Sequence, residues 1–186
     1  TAVTPDKPLV LLHRAPGRIF NLVTPLLERH VSEGRGDRLA LRERGRAVSY
    51  RGLQELSHRA GNALRQVGVE PEQRVAILLP DCVDFVAVFL GALAIGAVPI
   101  PLNALAPPDE LAYFLEDSRA RALVTTPELF ASALAVRAGP TLLKAVFVAG
   151  DPAECTADLD VRSLAAALAG ASPELDVFPT FVDEPC

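Results

Sequence analysis

From residue 75 onward the chain alternates short, unbroken apolar runs with longer stretches. Residues 75–79, 97–102, 122–125 and 145–149 are apolar runs of strand length. Between them, residues 81–95, apolar on nearly every side, 108–118, with Leu111, Phe114 and Leu115 inward, and 127 to about Arg137 predict helices. Thr126 followed by Pro127 reads as a helix cap with proline at the first helical position. Strand, helix, strand in repeated alternation predicts a parallel sheet with crossover helices. Strands that are apolar at nearly every position fit burial on both faces of that sheet.

The chain before residue 75 reads differently. Residues 21–33 predict a helix through Val23, Leu26, Leu27, His30 and Val31, capped either by Asn21 or by Thr24 with Pro25 behind it. Residues 39–50 alternate as a β-hairpin, with Gly45 at the turn. Ser49 is placed to cap a helix over 50–67, whose apolar stripe includes Leu53, Leu56, Ala60, Ala63 and Leu64 and which Gly68 ends. After Gly150 the pattern weakens into a polar loop over 151–160, a short helix over 161–168 and a proline-bearing stretch over 172–186. The expected organisation is an arm over 1–17, an α/β unit over 18–150 and an irregular tail over 151–186.

Composition narrows the function. The 186 residues are half apolar and carry a net charge of −5, with no basic run of the kind a nucleic-acid binder shows. Lysine chemistry has two candidates, Lys7 and Lys144. The cysteines Cys82, Cys155 and Cys186 form no CxxC pair, and the first residues lack the apolar core of a signal peptide, which together predict a cytoplasmic location. Residues 85–102 are uncharged, but Pro99 and Pro101 break them, so a buried helix entering a buried strand is expected and a membrane span is not. The chain starts at Thr1 and has no Met, so the initiator is not in it and further residues are expected at either end.

The candidate chemistry is sparse. The segment after the first apolar strand, Pro80-Asp81-Cys82-Val83-Asp84, has no glycine and two acids, unlike a dinucleotide-binding turn, which disfavours a nucleotide-dependent reductase. Neither a GxxxxGK[ST] loop nor a GxSxG elbow is present. Asp81 and Asp84 read as a helix cap and a favourable first-turn acid in preference to a metal pair. His13, His30 and His58 form no ligand spacing and read as surface or boundary residues. Arg35-Gly36-Asp37 at a helix-to-strand junction and Asp117-Ser118 before Arg119 read as structural. Cys82 at a helix start predicts a lowered thiol pKa, without a neighbouring base to make it a nucleophile.

Several blocks resemble one family. They are Gly34-Arg35-Gly36-Asp37-Arg38-Leu39-Ala40-Leu41, Val48-Ser49-Tyr50, Arg59-Ala60-Gly61-Asn62-Ala63-Leu64, residues 68–79, and above all Gly91-Ala92-Leu93-Ala94-Ile95-Gly96-Ala97-Val98-Pro99-Ile100-Pro101-Leu102-Asn103. Over residues 19–150 the chain is similar to the N-terminal region of adenylate-forming acyl-CoA synthetases, with benzoate-type aryl-CoA ligases the nearest in pattern.

That resemblance implies a parent enzyme that uses ATP, magnesium and coenzyme A to turn a carboxylate into an acyl-adenylate and then a thioester, with benzoate or a substituted benzoate such as anthranilate as substrate. In the family a Ser/Thr/Gly-rich phosphate loop ending in Lys follows a segment similar to Asp183-Glu184-Pro185, and the remaining site residues come later. No family site residue maps onto this sequence, so the expected sets of catalytic, cofactor-binding and metal-binding residues are all empty. The 186 residues alone are expected to bind no cofactor, to be inactive and to self-associate, the rest of the ligase being their natural partner. The rival reading is a free-standing, non-catalytic module that keeps this half-fold for oligomerisation.

Overall fold

The computed structural model describes residues 19–134, 142–155 and 159–182. His13, Arg137, Cys186 and the 1–17 arm lie outside the described residues.

The four predicted apolar runs, joined by one strand that was not expected, become a five-stranded parallel sheet: β3 (Arg74–Leu78), β4 (Val98–Pro101), β5 (Ala122–Thr125), β6 (Ala145–Val148) and the unexpected β7 (Val161–Ser163), in the order β4-β3-β5-β6-β7. Along β3 the side chains alternate between two cores. Val75 and Ile77 face α2 (Tyr50–Gln66), α3 (Val83–Ala94) and α6 (Leu164–Gly170), whereas Ala76 and Leu78 face α4 (Pro108–Asp117) and α5 (Pro127–Leu134). The result is a three-layer helix–sheet–helix unit, and burial on both faces explains the lack of polar alternation in its strands.

Upstream lies the hairpin of β1 (Leu39–Glu43) and β2 (Arg46–Ser49), a separate antiparallel pair. Its turn has both Arg44 and Gly45 at positive φ, 36° and 90°, as a primed hairpin turn requires. Ser49 Oγ accepts from the Gly52 amide at 3.2 Å and starts α2. The hairpin and the N-terminal segment then cover the outer side of α2 and α3, with Val23, Leu27, Val48, Leu90 and Leu93 in a third cluster.

Three expectations need correction. The helix expected over 21–33 is a π-helical turn, Thr24–Glu28, running into a short α1 (Arg29–Ser32). Of the two expected caps Asn21 serves and Thr24 does not: Asn21 Oδ1 accepts from the Val23 amide at 3.0 Å, while its Nδ2 donates to Leu93 O at 2.8 Å and to Phe178 O at 3.0 Å. Helix α3 is capped by Cys82, whose sulfur accepts from the Phe85 amide at 3.4 Å, and Asp81 stays exposed outside it. The helix expected over 161–168 is split, because Val161, Arg162 and Ser163 pair with β6 and Ser163 then caps α6.

Residues 171–180 contain no strand or helix, but they are tied down along their length. On α2, His58 Nδ1 lies 2.9 Å from Pro173 O and Arg59 donates to Ala171 O at 2.5 Å. Asn62 donates to Ser172 O and Glu174 O at 2.9 and 2.8 Å. Side chains thus satisfy the carbonyls that a regular element would otherwise pair.

Candidate functional site

In open α/β sheets ligands bind outside the carboxyl ends of the strands, where the strand order reverses. Here the chain leaves β3 for β4 on one side and returns to β5 on the other, so the reversal lies between the ends of β3 and β5. The residues at that point are Pro80, Asp81, Cys82, Thr125 and Thr126.

The helix N-termini at this edge are occupied by the chain's own groups. In α3 the Val83 amide donates to Glu43 Oε2, which reaches in from the hairpin at 2.9 Å, and Asp84 sits in the first turn. In α5 the Leu129 amide donates to Thr126 Oγ1 at 3.4 Å, and Glu128 is in the first turn. Helix α4 opens with Pro108, which has no amide proton, followed by Asp109 and Glu110. A phosphate here would meet carboxylates at each of these helix starts. The starts of α3, α4 and α5 therefore do not fit the phosphates of magnesium-ATP. The described residues also contain no group of three or more His, Cys, Asp or Glu arranged to hold a metal ion.

Lys144 is remote from this edge. It precedes β6, at the amino end of the sheet, and its Nζ donates to Gly68 O at the C-terminus of α2, where a cation is favoured by the helix dipole. Cys82 also departs from expectation. Burial pushes its thiol pKa up, and the nearby Asp84 and Glu43 carboxylates add to the rise, outweighing the amide hydrogen bonds at the helix start.

The side-chain cluster that sequence reasoning missed lies on the outer face. His58, expected at the surface or boundary, is buried, only 7 % exposed. Its Nε2 lies 2.8 Å from Glu28 Oε1, and Gln54 donates to Glu28 Oε2 at 2.6 Å. Burial opposes the imidazolium, but the Glu28 hydrogen bond and charge, with the Pro173 carbonyl, raise its pKa above the ordinary value. Both ring nitrogens are engaged, so His58 has neither a lone pair for a metal nor a free site for proton transfer. Glu28 and Gln54 form part of the wall of a groove of about 700 Å³ whose other walls include Phe20 and Phe178.

Residues 27–176 match the family described as AMP-binding enzyme. The chain belongs to that family. The match runs beyond the 19–150 resemblance and takes in β7 and α6. Among its relatives, the 4-hydroxybenzoate–CoA/benzoate–CoA ligase of Rhodopseudomonas palustris is 36 % identical over 136 residues, which cover 73 % of this chain and 25 % of that protein. The benzoate–CoA ligase of Thauera aromatica is 33 % identical over 168 residues, covering 90 % and 31 %. The crystal structure of the anthranilate CoA ligase AuaEII in complex with anthranoyl-AMP superposes with a TM-score of 0.79 at 26 % identity, over 88 % of this chain and 30 % of that one. The chain thus spans about a quarter to a third of the length of these relatives. The α/β class with its mostly parallel sheet, the family and the aryl-CoA ligase likeness all stand as expected, and the structure matches only part of the longer chain on which it superposes.

Proposed function

We propose that these residues are the N-terminal part of an ATP-dependent, AMP-forming aryl-CoA ligase acting in the cytoplasm on benzoate or a substituted benzoate such as anthranilate. The single observation that carries the reading is the family match over 27–176, shared with relatives named as benzoate- and hydroxybenzoate-CoA ligases. In the reaction a carboxylate oxygen displaces pyrophosphate from the α-phosphorus of ATP, and the coenzyme A thiol then displaces AMP from the acyl carbon.

The role of the 186 residues in that reaction is a supporting wall. The self-capped starts of α3 and α5 and the position of Lys144 support a reading in which the described residues make no phosphate contact. Nucleotide and acyl contacts belong to other parts of the ligase, reached through the tail that follows α6. On this reading the 186-residue chain alone forms no adenylate.

The test is a product assay on the protein encoded by the uninterrupted reading frame that contains this segment. With benzoate, magnesium-ATP and coenzyme A it is expected to release AMP and benzoyl-CoA in equal amounts. Product with acetate or a long-chain fatty acid and none with any benzoate would refute the aryl assignment. A reading frame that ends at residue 186 would favour the oligomerisation module.

A further inference from the structure

The geometry points to a pH-operated clasp: charged His58 joins the N-terminal segment, α2 and the 171–180 strap, and its deprotonation removes its own tie to the strap while those from Arg59 and Asn62 remain.

The donor and acceptor inventory carries the argument. Nδ1 of His58 faces the Pro173 carbonyl at 2.9 Å, and a carbonyl only accepts. Nε2 faces Glu28 Oε1 at 2.8 Å, and a carboxylate only accepts. Both nitrogens must therefore carry protons, so the bound ring is the imidazolium. When it loses one proton, a lone pair must face an acceptor in a buried place. The bond to the charged carboxylate is the stronger of the two, so the remaining proton stays on Nε2. The lone pair is then left against Pro173 O, and the contact that fails is the one to the strap.

The charged surroundings favour Glu28 as the controlling partner. The N-terminal segment presents Glu28, followed by Arg29, which is engaged with Glu33 at 2.8 Å. Helix α2 presents Arg59, whose guanidinium is committed to Ala171 O. The strap itself brings Glu174 and Asp176, both exposed to solvent. Beyond Pro173, Leu175 packs against Gly61 of α2, and the Phe178 amide donates to Ala94 O at 2.7 Å. Loss of the contact at Pro173 therefore loosens, without detaching, a segment that reaches α3.

The experiment is an NMR titration of the 186-residue chain from pH 5.5 to 9, following the His58 ring and amide exchange normalised to the unstructured rate at each pH. His58 is expected to titrate above the ordinary value of about 6.5. Protection of the Glu174 and Phe178 amides should fall severalfold with the same midpoint, while the amides of β5 keep theirs. In Glu28→Gln both midpoints should move down together. A His58 midpoint at or below the ordinary value overturns the clasp. So does strap protection that stays flat through the midpoint, or a β5 loss that keeps step with the strap. The wild-type titration decides the matter even if the variant does not fold.

Discussion

Helices α2 and α3 touch backbone to backbone at one point, and that contact sets a sharp expectation for Gly91→Ala. A Cβ at Gly91 would lie 2.5 Å from the Ser57 carbonyl oxygen and 2.7 Å from the Gly61 nitrogen, both backbone atoms of α2. Ordinary contact begins near 3.4 Å, so the helices would have to part by close to an ångström across a core whose members are almost fully buried. Overpacking of this kind costs about 1–3 kcal/mol. Alanine's better helix propensity returns up to about 1 kcal/mol. Because the clashing atoms are backbone and cannot swing aside, the upper end applies, leaving a net loss of about 2 kcal/mol. The control is Gly52→Ala in the first turn of α2. Its Cβ would meet Ser49 Oγ and Val48 Cγ1 at an ordinary 3.5 Å, and the cap would survive. That substitution should stabilise by about 0.5–1 kcal/mol. Urea titration followed by circular dichroism reads both, with an unchanged slope reporting the same exposed surface. Gly91→Ala as stable as the wild type would refute the close crossing.

Three further outcomes are expected. Leu93→Ala, from α3 into the cluster beneath the hairpin, should cost about 2–5 kcal/mol in the same titration, and a loss within the ±0.5 kcal/mol of surface changes would remove it from the core. His58 has a folded pKa above its unfolded value, so its contribution is full below about pH 6.5 and is lost as pH rises through the folded value; the stability gap between wild type and His58→Gln should therefore narrow from pH 6 to pH 9, and a gap that widens would contradict the ion pair. The isolated chain should self-associate through apolar surface that includes Ile19, Phe20 and Val182, each 45 % or more exposed; light scattering under reducing conditions should give a dimer or larger, and a monomer of 19.8 kDa at high concentration would contradict this.

The parts of the fold legible in the sequence are those set by local pattern. β5 occupies the expected residues 122–125, because a strand buried on both faces must be apolar throughout. The hairpin and the Ser49 cap likewise follow from short-range chemistry. β7 was read as helix because three residues, one of them Arg162, carry no period; it is a strand only because β6 lies beside it. Glu43 on the α3 start and Glu28 on His58 join residues 40 and 30 positions apart, and nothing in either neighbourhood announces the partner. The strap was legible as irregular, but the α2 side chains that hold it became visible only with the packing.

The central claim is that this segment supports an aryl-CoA ligase without itself holding the nucleotide. Benzoate-dependent exchange of labelled pyrophosphate into ATP tests it most directly. The assay is run side by side on the 186-residue chain and on the protein encoded by the uninterrupted reading frame. The account predicts exchange in the longer protein and none above the no-benzoate blank in the shorter one. Exchange by the 186 residues alone, or its absence from the longer protein with every benzoate tried, would contradict it.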